Sequence, residues 1–320
     1  MRKILDQVDS NALRAGFGQL HNLLKKKNYL SHYRYWSGHL VVSIDGVEHF
    51  CSKEISCSHC MVRNHRGGNT SYYHSMLSAA VVNPDHREVF ILDNEPIVKQ
   101  DGAQKNDCER NAAKRLLSSL QQSDSETNIV FVMDALYSCG PIIRQLSENK
   151  KWRYIIGVTP DGHTSLFQQF DELDEANKVH WHSVKADDGQ YTYAYVNDLK
   201  LNESNEDIKS SMLYCIWRNK KGEEKVFTWV TNIALSKRNV MKVMQMGRSR
   251  WKIENEVFNT LKNQGYQFEH NFGHGQKNLC TNFAYLMMLA FCVDQIQQFV
   301  STLFQKILAD LKTRLILGSD

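Results

Sequence analysis

Two aspartates stand in runs that otherwise carry strand character and little charge. "HLVVSIDGVEHF" (39–50) holds Asp45 in the middle of an apolar stretch, and "NIVFVMDALYS" (128–138) ends its apolar run on Asp134. Runs of this length and β-branched content predict buried strands. A carboxylate placed there needs a partner, because an ionised group taken from water is costly to leave unpaired. A turn cap or an Arg accounts for one such acid. Two on separate strands point to a shared partner, and a divalent cation fits because hard cations take oxygen ligands.

The 320 residues suffice for a substantial core, in one large domain or two small ones. Charged residues at 23% against 42% hydrophobic exclude a disordered chain. The net charge of only +4 means that any nucleic-acid affinity rests on local patches. "MRKILDQVDSNALRAG" lacks the apolar core of a secretion signal, and the eight cysteines are then expected reduced in the cytoplasm. "LCTNFAYLMMLAFCV" (279–293) is short and interrupted by Thr281 and Asn282, so it predicts a buried helix, with no membrane partner.

Periodicity divides the chain into four. Residues 1–38 read as a short helical segment. Residues 39–164 alternate strands ("SYYHSMLSAAVVN" and "EVFILDN" as hairpin neighbours, then "WRYIIGVTP") with helices over "NDCERNAAKRLLSSLQQS" and from about Pro141 to Lys150. Residues 165–235 carry β runs such as "YTYAYV" and "KVFTWVTNIA" and read as a β-rich insertion, and residues 236–320 read as helical.

A third acid comes from "RSRWKIENEVFNTLK" (248–262). As an α-helix it places Trp251, Glu254, Phe258 and Leu261 on one apolar face, so Glu254 is expected inward and Glu256 outward. Arg250 lies one turn before Glu254 and is placed to hold it. A solvated amphipathic helix with ordinary ion pairs explains the segment alone equally well; with Asp45 and Asp134 it completes an Asp, Asp, Glu set able to hold two divalent ions. The basic residues around it, Arg248 and Lys262 among them, suit phosphate.

These anchors, "IDG" at Asp45, "DALY" at Asp134 and "RSRWKIEN" at Glu254, resemble the DDE transposases of bacterial insertion sequences, specifically the IS-four-like group, over about residues 39–295. The resemblance implies an α/β fold: an RNase H-like mixed sheet flanked by helices, with a β-rich insertion between the second Asp and the Glu, and a helical C-terminus. It implies metal-dependent phosphodiester cleavage at transposon ends and strand transfer into target DNA. Asp45, Asp134 and Glu254 would be the catalytic ligands of two Mg²⁺ (Mn²⁺ substituting), supported by Arg250 and Lys262, in a homodimer on DNA at the bacterial nucleoid. The group's late signature runs Tyr, two residues, Arg, three residues, Glu, six residues, Lys. Arg250 and Glu254 fit it, but Gly247 stands at the Tyr position and Leu261 at the Lys position, with Lys262 one residue late. Trp229 in "FTWVTN" occupies the place of an insertion Trp that stacks on a displaced base in related transposases, unless it is a core residue.

Lys105 and Arg110, in the charged stretch before a helix, are candidates to track the DNA backbone alongside Arg248. A capping role for that stretch competes, and Asp107 and Glu109 suit a helix start. Cys51, Cys57, Cys60 and His65 crowd around "CSHC" and offer four zinc ligands, or else are reduced loop cysteines; His74 and His163 read as structural histidines. Two rival functions stand beside the transposase: an RNase H-like nuclease that cuts without joining, and a truncated DNA-binding remnant. The second is raised by the short stretch before the first strand.

Overall fold

The computed structural model describes residues 1–98 and 107–311. Its first part runs α1 (Arg2–Leu5), α2 (Ser10–Lys26), a 3-10 turn (Tyr29–Tyr33), then strands β1 (Leu40–Ser52), β2 (Met61–Asn64), β3 (Thr70–Asn83) and β4 (His86–Ile97). Next come α3 (Glu109–Ser123), β5 (Ile129–Met133), α4 (Gly140–Glu148), β6 (Trp152–Gly157) and α5 (Thr164–Glu175). Four strands follow: β7 (His180–Ala186), β8 (Gly189–Lys200), β9 (Lys209–Asn219) and β10 (Glu224–Thr231). The chain ends in α6 (Val240–Arg248), a π-helical turn (Ile253–Phe258), α7 (Asn259–Asn263), α8 (Leu279–Val300) and α9 (Thr302–Leu311). These elements group into two compact units: Met1–Arg34, Ser43–Asp124 and Trp251–Asp320 form the first, and Tyr35–Val42 with Ser125–Arg250 the second.

In the first unit β3 is the central strand. β1 lies along one edge; β2 and β4 share the other, both antiparallel, β2 against Thr70–Tyr73 and β4 from Ser75 onward. Helices α2, α3 and α8 pack on β4. α8 is long and apolar enough by composition to cross a membrane. Here its buried residues, Tyr285, Met288 and Phe291 among them, belong to the core, as the sequence led us to expect. Its N-terminus is closed by Asp6, whose carboxylate accepts the backbone N–H groups of Gln276, Lys277, Asn278 and Leu279, each at 3.0 Å. Four otherwise orphaned donors are satisfied at once, and these bonds hold the Asp6 carboxyl below its ordinary value of 3.8.

A charged network fastens the helices to β4. Arg14 of α2 donates to Asp93 at 2.6 Å and Glu95 at 2.5 Å, while Arg115 of α3 donates to Glu95 at 2.6 Å and Asp107 at 2.8 Å. Two guanidiniums against three acids, all largely out of water, satisfy one another where any of them alone would be costly.

In the second unit the sheet order is β5-β6-β10-β9-β8-β7. β5 and β6 are parallel, and β6 with β10 and each later pair are antiparallel, which makes the sheet mixed. Every residue of β5 is buried, as expected for a strand covered on both faces. The segment read as a β-rich insertion opens on a helix: its start forms α5, on which Leu166 and Phe170, one turn apart, are buried. Two apolar residues among polar ones are too weak a periodic signal to be seen beforehand.

Candidate active site

Asp45 sits half-buried on β1, directly after the fully buried run Leu40–Ile44. Its Oδ1 accepts the N–H of Gly46 at 2.9 Å. Gly46 approaches α3 closely: a Cβ there would lie 2.8 Å from Oε1 of Glu109, the far end of a flexible side chain. A carboxylate that looked like a helix-start residue therefore lies against the residue following Asp45, a proximity with no local sequence signal. In the second unit, Asp134 follows the last residue of β5 and is half-buried. Its Oδ1 accepts the N–H of Leu136 at 2.9 Å, capping a short 3-10 turn. The acid thus stands at the carboxyl end of a parallel strand, where open α/β sheets present their ligand-binding groups.

The segment 248–262 departs from a plain α-helix, and the expected facing of its acids is corrected. Ile253–Phe258 is π-helical, and the buried residues are Lys252, Ile253, Val257, Phe258, Thr260 and Leu261. Trp251 is 42% exposed and Glu254 is exposed, so Glu254 does not lie in the apolar stripe. Glu256 is half-buried and pairs with Arg87 at 3.2 Å. A π turn absorbs one residue more than an α turn. The eight steps from Glu254 to Lys262 therefore cover the arc of about seven α-helical ones. The Lys262 ammonium lies 2.6 Å from Glu269.

The basic residues divide. Lys252 is buried and donates to the carbonyls of Asn83 (2.6 Å), Pro84 (3.2 Å) and His86 (2.5 Å) across the β3–β4 turn. Burial lowers its ammonium pKa. Arg248 is half-buried; its Nη1 donates to the Tyr191 hydroxyl at 3.2 Å, and its guanidinium stands over the Phe227 ring at 5.1 Å. Arg250 is half-buried beside the segment, and Arg110 is exposed on α3. Lys105 lies outside the described residues.

Trp229 is 6% exposed and is corrected from base-stacking platform to core residue. Its indole covers Gly247, whose added Cβ would meet Cε2 at 2.8 Å, and it stacks on Phe227 at 5.8 Å. The indole fills the volume over Gly247, which accounts for a glycine there. His163 is buried, with its Nε2 at 3.0 Å from the Ser138 carbonyl and its Nδ1 buried without a hydrogen-bond partner among the described residues.

The expected zinc set is half right in membership. Cys57 and Cys60 do gather, but with His74 and His274; Cys51 and His65 lie outside that group. Cys51 is exposed near the end of β1, and His65, at the β2–β3 turn, spends Nε2 on Ser71 Oγ at 2.9 Å. Reading β2 and β3 as a hairpin would have found His74, because one further step of the Met61↔Tyr73 register sets Cys60 opposite it. His274 comes from "NFGHG", far along the chain, with no local signal.

No curated protein matches the chain in sequence. The family model described as transposase DDE domain matches residues 38–293, a span that contains Asp45, Asp134 and Glu254. Mixed sheet, flanking helices and helical C-terminus agree with the RNase H-like fold class of such proteins. The chain belongs to the transposase DDE domain family.

Proposed function

We propose that this DNA transposase cleaves phosphodiester bonds at transposon ends and joins the freed 3′-hydroxyl to target DNA. The observation that carries the reading is the family match across 38–293, enclosing three acids set at element positions that suit ligands. Asp45, Asp134 and Glu254 hold two Mg²⁺ ions, with Mn²⁺ able to substitute. The donor set fits, since carboxylates are the ligands hard cations prefer. In Asp45 and Asp134 one carboxylate oxygen is already oriented by a backbone N–H, which fixes the direction of the other. Metal ions held by these three carboxylates would supply activation of an attacking water or hydroxyl and charge neutralisation at the leaving oxygen.

The remaining roles fall to the chain's own side chains. Arg250 positions Glu254, and Lys262 and Arg248 contact substrate phosphates. Arg110 tracks the DNA backbone. Two copies act together as a homodimer on DNA, one for each element end. The test is a cleavage and strand-transfer assay on the DNA flanking the gene, with Mg²⁺. Asp45→Ala and Asp134→Ala are expected to abolish both steps while retaining DNA binding. Unchanged activity in either variant overturns the assignment. Cleavage without joining by the wild-type chain would make it an RNase H-like nuclease instead.

A further inference from the structure

Away from the acids, four side chains of the first unit converge. Cys57 and Cys60 belong to the β1–β2 connection, His74 to β3, and His274 to the loop before α8. Their ligand atoms all lie within 4.8 Å of one another. The Sγ atoms of Cys57 and Cys60 are 3.8 Å apart, and His74 Nε2 is 3.4 Å from the first and 3.3 Å from the second. His274 Nε2 is 3.3 Å from Cys60 Sγ.

These spacings can be compared with a coordination tetrahedron. Zn–S bonds of about 2.3 Å and Zn–N bonds of about 2.0–2.1 Å at tetrahedral angles give edges of about 3.8 Å between sulfurs and about 3.6 Å between sulfur and nitrogen. The one sulfur–sulfur edge agrees, three of the four sulfur–nitrogen edges fall within about 0.3 Å of the tetrahedral value, and the remaining edges lie within the 4.8 Å that encloses the set. A disulfide is a different geometry, with sulfurs about 2.05 Å apart. The site is also built. Cys60, His74 and His274 are buried, and Phe50 packs on both imidazoles at 4.4 and 6.0 Å. The backbone N–H of Cys57 points to Cys60 Sγ at 3.3 Å, a donor that stabilises a thiolate.

We propose that Cys57, Cys60, His74 and His274 form a structural zinc site. Two thiolates and two neutral imidazoles are a donor set that selects Zn²⁺ over the hard cations that carboxylates hold. On binding, the two thiols each lose a proton and form a Zn–S bond, the imidazoles each give a ring nitrogen lone pair, and the site is neutral. All four positions are filled by protein, so the metal fastens rather than reacts. It ties the loop after α7, which continues the Glu254 segment, to the hairpin that follows the Asp45 strand. Both belong to one unit, and the site would keep these two stretches of chain in register.

The test uses the full chain. Protein purified without chelator is expected to carry one zinc per chain by elemental analysis, in addition to any Mg²⁺. Replacement by Co²⁺ should give tetrahedral visible bands and a thiolate-to-cobalt charge-transfer band, which carboxylate ligands cannot produce. His274→Cys keeps four ligands and should strengthen that charge-transfer band by a third thiolate. Cys60→Ser, which leaves the Cys57 thiolate alone, should weaken it, and if Cys60→Ser does not fold, the His274→Cys spectrum alone decides. A soluble folded chain without stoichiometric zinc, a Cys57–Cys60 disulfide, or a Co²⁺ spectrum unchanged by His274→Cys would each overturn the proposal.

Discussion

Gly247→Ala sets two opposing effects against each other. Gly247 lies in the last turn of α6, where alanine is worth up to about 1 kcal/mol over glycine in helix stability. Its new methyl would stand 2.8 Å from Cε2 and 2.9 Å from Nε1 of Trp229, and 3.1 Å from Cγ2 of Ile155. Comfortable carbon contacts are about 3.5–4.0 Å, so the indole must retreat by more than about 0.5 Å. It has little room: Trp229 is 6% exposed, stacks on Phe227, and rides on β10, which is paired on both edges. Overpacking of this kind costs about 1–3 kcal/mol. The clash therefore wins, for a net loss of about 1 kcal/mol, or about 2–4 °C in Tm. In a Trp229→Leu background the two closest clashing atoms are gone and only the Cγ2 methyl of Ile155 has to give by a few tenths of an ångström, so Gly247→Ala should become stabilising. The double-mutant cycle should give a coupling of about 2 kcal/mol. Urea unfolding followed by circular dichroism measures all four proteins. Stabilisation of about 1 kcal/mol by Gly247→Ala in both backgrounds would refute the packing of Trp229 over this glycine.

Other predictions rest on separate observations. Arg14→Met leaves Asp93 and Glu95 short of a guanidinium and should cost about 2–4 kcal/mol by urea unfolding; Asp93→Asn with Glu95→Gln should recover part of it. Asp6→Ala removes the acceptor for four helix-start N–H groups and should cost about 1–2 kcal/mol. Because the folded Asp6 carboxyl titrates below its ordinary 3.8, its contribution is fully present above that pH and fades as pH falls through the lower folded value. Wild type and Asp6→Ala should therefore converge in stability only in strong acid, as read by thermal scans at stepped pH. Lys252→Met strips the β3–β4 turn of its donor and should lower Tm, yet leave the salt dependence of DNA binding unchanged, because that ammonium is already committed to carbonyls.

Elements whose residues share a burial pattern were readable from sequence. The β1 and β5 runs, the β3–β4 hairpin and the buried α8 follow from periodicity and apolar content alone. The facing of Glu254 was not, because an α-helical projection has no means of foreseeing a π turn. The burial of Lys252 has no local sequence signal: what fixes it is a cluster of turn carbonyls more than 160 residues earlier in sequence. Trp229 and Gly247 show the same limit, since neither residue announces the other. His274 reaches its cysteine partner across 214 residues, a distance no spacing motif covers.

The central claim is that Glu254, and not its neighbour Glu256, acts with Asp45 and Asp134. The most direct measurement is the yield of joined product, with Mg²⁺ and DNA from the gene's flanks, for Glu254→Gln and Glu256→Gln compared with wild type. Both variants should bind DNA as wild type does. Glu254→Gln should lose cleavage and joining, while Glu256→Gln, which weakens only the pair with Arg87, should retain both. Joining that survives Glu254→Gln, or is lost with Glu256→Gln instead, would contradict the account.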